Sequence, residues 1–243
     1  GYSVSIDSDG SHVAIGAYGN DGTASNAGHV RVYEYSSGSW SQVGNDIDGE
    51  ADGDKSGRSV SIDSDGSHVA IGATGNDGSG SDSGHVRIYE YSSGSWTQVG
   101  NDIDGEAASD LSGGSVSIDS DGSHVAIGAY LNDGTASNAG HVRIYEYSSG
   151  SWSQYGNDID GEAASDNSGG SVSIDSDGAN VAIGAYNNDG TASNAGHVRV
   201  FKFEAAAINS VSLAADNSTI AVTFIEAVYN TNAGSGALEV SDF

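Results

Sequence analysis

A chain of 243 residues carrying a formal net charge of −27 has no basic footprint for a phosphate backbone, so nucleic-acid partners are excluded and anionic membrane surfaces are disfavoured. It contains no cysteine, which rules out disulfides and thiolate chemistry, and no proline or methionine. No apolar run approaches the roughly 18 residues of a membrane helix, so no membrane insertion is expected of this stretch.

The first element is Ser3-Val4-Ser5-Ile6-Asp7, and it returns at Ser59, Ser115 and Ser171, every 56 residues. An unbroken period of this size is the mark of a repeat architecture. The copies are 1–56, 57–112, 113–168 and an incomplete 169–204. Within the second copy four short runs follow one another. Ser59 to Asp63 alternates Val60 and Ile62 with serines. His68 to Ala73 sets Val69 and Ile71 against Ala70 and Gly72. His85 to Tyr91 has Val86 and Ile88 on one side, Tyr89 and Tyr91 on the other. Trp96 to Ile103 is the fourth. All are period 2 and rich in β-branched or aromatic residues, which predicts strands. The Gly, Ser, Asp and Asn clusters between them predict turns. Four strands per unit predict an all-β fold, a β-propeller of four-stranded antiparallel blades forming a partial ring of about four. A β-solenoid is the rival, but its coils are much shorter than this unit.

Trp40, Trp96 and Trp152 are one period apart, and Ile208 stands where the next would fall, so the fourth blade is expected to lack its outermost strand. The chain enters the pattern at Gly1 without a methionine, and is expected to be a piece of a longer protein. Residues 205–207 read as a linker. Beyond it Ile208 to Leu213, Thr219 to Phe224 and Ala237 to Val240 predict strands of a second β domain, 208–243, that is cut off at Phe243.

The paired stretches GYSV/IGAY, GRSV/IGAT, GGSV/IGAY and GGSV/IGAY resemble the FG-GAP repeats of integrin-α-type β-propellers, where Phe-Gly-x-Ser-Val leads to Val-Gly-Ala-Pro. The likeness covers residues 1 to about 204 and is strongest to the tandem repeats of large microbial surface proteins. The tail resembles the opening of a bacterial Ig-like domain. The resemblance implies a seven-bladed ring, an extracellular or cell-surface location, and a role in adhesion or recognition. The Phe and Pro of the family name are absent here. So is the family's calcium loop, whose place is taken by Asp63-Ser64-Asp65-Gly66-Ser67-His68, a tight hairpin by length.

Calcium is the one cofactor to weigh. Asp46, Asp48, Glu50, Asp52 and Asp54 alternate along the loop between the first two blades and could converge on a cation if it curls. The competing reading is a solvated acidic loop. The seven histidines stand at strand starts and read as packing or hydrogen-bonding residues, with Asn180 at the eighth equivalent position. Arg31, Arg87, Arg143 and Arg199 should each offset a carboxylate. No His-Glu-x-x-His, Gly-x-Ser-x-Gly or phosphate loop is present, so no enzyme is expected.

In a four-stranded meander the second-to-third-strand loop and the inter-blade loop share one end. That end holds the long loops and most differences between copies, so it is the candidate ligand-binding face: Tyr18, Thr74, Tyr130 and Tyr186 with Asp21, Asp77, Asp133 and Asp189. The expected function is a non-catalytic binding or adhesion module for a protein or glycan ligand. The alternatives are a carbohydrate-binding propeller whose tyrosines stack on sugar rings, and the propeller part of a secreted hydrolase.

Overall fold

The structure, a computed structural model, describes residues 1–203, 208–213 and 220–224, and none of these is helical. The chain is all-β and divides into two compact units, 1–201 and 202–243. The first unit is a partial β-propeller of four blades. Blade 1 comprises β1 (Ser3–Ile6), β2 (His12–Ala17), β3 (His29–Ser36) and β4 (Ser39–Asp48) in that order. Blade 2 comprises β5 (Ser56–Ile62), β6 (His68–Ala73), β7 (His85–Ser92) and β8 (Ser95–Gln98), with β9 (Ile103–Asp104) also paired to β7. Blade 3 repeats this with β10 (Ser115–Ile118), β11 (His124–Ala129), β12 (His141–Ser148), β13 (Ser151–Gln154) and β14 (Ile159–Asp160). Blade 4 has three strands, β15 (Ser168–Ile174), β16 (Asn180–Ala185) and β17 (His197–Lys202). In the second unit β18 (Ile208–Leu213) pairs antiparallel with β19 (Ile220–Phe224). The linker at 205–207 and the strand expected at 237–240 lie outside the described residues.

Two features differ from the sequence reading. The fourth run is not one strand in blades 2 and 3, where Gly100 and Gly156 adopt φ of 72° and 77° between the two short pieces. The repeats also touch through backbone: single parallel bridges join Gly28 to Ser56, Gly84 to Ser112 and Gly140 to Ser168. Each blade's first strand is thereby keyed to the loop before the preceding blade's third strand.

The alternation inside each strand is what stacks the blades. One face is small and aliphatic, the other large. Ala14, Val30, Val32 and Ile47 of blade 1 pack against Val60, Ile62, Val69 and Ile71 of blade 2. Ala70, Val86, Ile88 and Ile103 of blade 2 pack in the same way on Val116, Ile118, Val125, Ile127 and Tyr145 of blade 3. The serines of the first strands lie on the small face and bond forward. Ser3 Oγ donates to the Gly57 carbonyl at 2.9 Å, Ser59 Oγ to Gly113 at 2.8 Å and Ser115 Oγ to Gly169 at 2.8 Å. The backbone N–H of Ile62 donates to Ser5 Oγ, and Ile118 and Ile174 repeat this bond with Ser61 and Ser117. At the outer edge the Trp96 and Trp152 indoles donate to the Val43 and Val99 carbonyls of the preceding blade.

The two end blades show the same faces uncovered. Val4 and Ile6 are 69% and 60% exposed, whereas Val60 and Ile62 are buried. Val198 and Val200 are 67% and 70% exposed, whereas Val86 and Ile88 are buried. Val13 and Ile15 are accordingly only half-buried, unlike their equivalents Val69, Ile71, Val125, Ile127, Val181 and Ile183. Burial of a repeat position therefore depends on which neighbour the blade has.

The hairpin between first and second strands closes on itself. The carboxylate of buried Asp63 lies 2.8 Å from His68 Nδ1 and accepts from Ser67 Oγ at 3.0 Å. Asp7 and His12, and Asp119 and His124, repeat the pair at 2.8 Å. Asn180 donates its side-chain amide to Asp175, so the one substituted copy keeps the bond with a neutral partner. Its hydrogen bond to Asp63 raises the His68 pKa above the usual histidine value.

Candidate functional site at the long-loop end

The first-strand entrances of all four blades meet around a cavity of about 290 Å3, lined by Tyr2, Arg58, Gly114, Tyr130, Gly170 and Tyr186. Tyr2, Arg58, Gly114 and Gly170 are the same repeat position, and Tyr130 and Tyr186 share another. The two positions adjust to each other. A Cβ on Gly114 would lie 2.8 Å from the Tyr130 ring, and one on Gly170 2.6 Å from the Tyr186 ring, so glycine makes room for each tyrosine. In blade 2 the bulky member is Arg58 and its partner is the small Thr74. In blade 1 both are tyrosines, and Tyr2 meets Tyr18 edge-on with ring centroids 4.7 Å apart. The Arg58 guanidinium lies over Tyr2 at 4.4 Å and over Tyr18 at 5.8 Å, within cation–π range. Burial first, and then the neighbouring Tyr130, push the Tyr186 hydroxyl pKa up.

The predicted face is thus divided. Tyr130 and Tyr186 line the axial cavity. Tyr18 lines a separate recess of about 390 Å3 with Tyr2, Ala17, Gly19 and Asn20. Thr74 is buried rather than presented to a ligand. Asp21, Asp77, Asp133 and Asp189 brace their own loops: one carboxylate oxygen of each accepts the N–H of Asn26, Asp82, Asn138 or Asn194 at 2.6–2.8 Å. Those four acceptor-held residues have φ of 49–52°, a left-handed conformation that Asn and Asp tolerate. Sequence reasoning missed Tyr2 and Arg58. The signal was there: the second position of the repeat reads Tyr, Arg, Gly, Gly while its neighbours hardly change.

The five acids weighed as calcium ligands do not converge on one point. Asp46 is clamped by Arg31, Nε to Oδ1 at 2.9 Å and Nη2 to Oδ2 at 2.8 Å, and the guanidinium holds its pKa down at about 2. Asp54 turns inward, buried, and accepts the Ala51 N–H at 2.9 Å. Asp52 is exposed. Glu50 crosses to blade 2, where Arg87 Nη1 lies 3.1 Å from its Oε1. Asp48 lies near His29 and Asp46. The reason is that β4 ends at Asp48 and the chain then turns, Gly53 adopting φ of 81°, so the acids beyond it leave the strand face that Asp46 and Asp48 share. The third-strand arginines do each meet a carboxylate, Asp46, Glu50, Glu106 and Glu162. Third-strand histidines His85 and His141 are buried among these acids rather than in apolar packing. Burial and the adjacent arginine lower both pKa values, that of His141 to about 4, so both rings are neutral at pH 7.

No family model and no curated protein matches the chain. Solved structures similar to it include the following two. One, described as a putative 6-phosphogluconolactonase from Bacteroides uniformis, is 10% identical with a TM-score of 0.44 over 90% of this chain and 69% of that one. The other, the tricorn protease, is 9% identical with a TM-score of 0.44 over 90% of this chain and 24% of that one. At such values neither transfers an activity or a residue role. The expectation that the chain is no enzyme is corrected, because the similar structures bear enzyme names, and absence of catalysis is not carried forward.

Proposed function

We propose that the chain is a binding module of an extracellular or cell-surface protein, built from FG-GAP-like repeats, that holds a glycan at the axial cavity of its long-loop end. The observation that carries this is the lining of that cavity: three tyrosines and one arginine on a chain of net charge −27. Tyrosine faces suit the C–H faces of a sugar ring, and their hydroxyls suit its alcohol groups. Arg58 supplies paired N–H donors for a carboxylate. The favoured ligand is therefore an acidic sugar. About 290 Å3 lies at the lower end of ligand pockets, which run from roughly 300 to 1,000 Å3, and fits one ring end-on rather than a long oligomer. The recess beside Tyr18 would extend the footprint toward blade 1.

The test is a glycan array followed by calorimetry with the best binder. Tyr130→Ala and Tyr186→Ala should each weaken binding about 5- to 150-fold, as loss of a stacking ring worth roughly 1–3 kcal/mol does. Arg58→Gln should remove the preference for acidic over neutral sugars. Array binding that these three variants leave unchanged, or no glycan binding at all, would refute the assignment.

A further inference from the structure

Two of the three blade junctions gather one histidine and two carboxylates from three separate segments. At the first, the acid of the inter-blade loop, Glu50, meets His85 at the start of β7 and Asp102 just before β9, with their donor atoms within 4.8 Å of one another. At the second, Glu106, His141 and Asp158 repeat the group. His85 is 1% exposed and both its ring nitrogens lack a hydrogen-bond partner. Its Nδ1 faces Asp102 Oδ2 at 3.5 Å, too long for a hydrogen bond. His141, 2% exposed, has its Nδ1 3.7 Å from Glu106 Oε2 and 3.8 Å from Asp158 Oδ2. The buried His85 ring is thus left unbonded, which is costly for a polar group, and it faces carboxylate oxygens that it does not bond.

The other oxygen of most of these carboxylates is already held. Gln98 Nε2 donates to Asp102 Oδ1 at 2.6 Å, and Gln154 Nε2 to Asp158 Oδ1 at 2.7 Å. Arg87 Nη1 lies 3.1 Å from Glu50 Oε1, and Arg143 Nη1 3.5 Å from Glu106 Oε1. The arginines are fixed in turn, Arg87 Nη2 donating to the Asp48 carbonyl at 3.1 Å and Arg143 Nη2 to that of Asp104 at 2.8 Å. Outer partners that fix one oxygen and leave the second free toward a histidine are the arrangement that orients metal ligands.

We propose that the Glu50–His85–Asp102 and Glu106–His141–Asp158 junctions are two equivalent Zn2+ sites, each with water in the remaining position. Zn–N and Zn–O bonds of about 2.0–2.2 Å give tetrahedral ligand–ligand edges of roughly 3.4 Å. The nitrogen–oxygen separations of 3.5, 3.7 and 3.8 Å close to that edge with small side-chain movements. Mixed imidazole and carboxylate donors favour a borderline ion over Ca2+, which takes six or more oxygens. Two carboxylates outweigh the one arginine at each site, so a dication is attracted. The equivalent positions in blade 1 are not a third site. There Arg31 occupies both oxygens of Asp46. Zinc would tie an inter-blade loop to the next blade's third and fourth strands, a clamp across the stack.

Equilibrium dialysis of the chelator-stripped chain against ZnCl2 tests this, with Mg2+ in excess. Two Zn2+ per chain are expected, and Co2+ in their place should give the intense visible absorption of tetrahedral coordination. Asp102→Asn and Asp158→Asn keep the side-chain shape and the glutamine bond. Each should weaken one equivalent at least tenfold, and the pair should remove both, while Asp46→Asn leaves the count at two. Absence of saturable Zn2+ binding overturns the proposal, as does a count that the double variant leaves unchanged. If a variant fails to fold, by circular dichroism, the parent's stoichiometry and Co2+ spectrum decide.

Discussion

Replacing Gly128 by alanine puts a methyl group where the next blade already stands. A Cβ there would lie 2.1 Å from the carbonyl oxygen of Gly169 and 2.5 Å from Ser115 Oγ. The serine can rotate, but the carbonyl belongs to backbone, so blades 3 and 4 must part by on the order of 1 Å to restore normal contact. Overpacking of this kind costs about 1–3 kcal/mol. Separation also breaks the 2.8 Å bond from Ser115 Oγ to the Gly169 carbonyl, worth about 1 kcal/mol. The expected loss is about 2–4 kcal/mol, which for a chain of this size lowers the melting temperature by roughly 5–15 °C. Gly184 is the internal control. It occupies the same position of the second strand in blade 4, and a Cβ there meets only Ser171 atoms, the nearest being the rotatable Oγ at 2.4 Å. Gly184→Ala should cost under about 1 kcal/mol, since alanine also favours the folded chain by restricting the unfolded one. Differential scanning calorimetry of the two variants beside the parent reads this directly. Equal losses in both would refute the reasoning that blade contact, rather than strand propensity, requires the glycine.

Ile127→Ala should cost about 2–5 kcal/mol, because Ile127 is buried between blades 2 and 3. Ile15→Ala, at the equivalent half-buried position of blade 1, should cost less than half as much; urea unfolding that gives the same loss for both would contradict the one-sided cover of blade 1. The raised His68 pKa gives a pH dependence of definite sign. Protonated His68 favours the folded state, so its contribution is complete below the unfolded value of 6.5 and fades as pH climbs through the raised folded value. Melting temperatures from about pH 6 to about pH 8.5 should fall more steeply for the parent than for His68→Asn, which copies the neutral pair of Asn180 and Asp175; parallel curves would show that His68 is neutral throughout.

The 56-residue period by itself determined how many blades there are, where the first three strands of each lie and which residue types turn the chain, because those choices depend on local alternation and turn chemistry. It also placed the long loops at one end, where Tyr130 and Tyr186 meet. It could not decide which face of a strand is covered, because Val4 and Val60 are identical in local sequence and differ only in having a blade behind them. Nor could it sort the acids. Asp46 to Asp54 look alike along the chain, yet one is clamped by its own blade's arginine, one turns inward, and one crosses to a histidine 35 positions further on. The histidines read as packing residues for the same reason. His68 and His85 both open strands, but His68 bonds an aspartate five residues away, whereas the neighbours of His85 come from two loops that only the stacking of blades brings together. Local pattern sets what each repeat becomes; the sites belong to the junctions, where residues distant in sequence are held by packing that no single repeat contains.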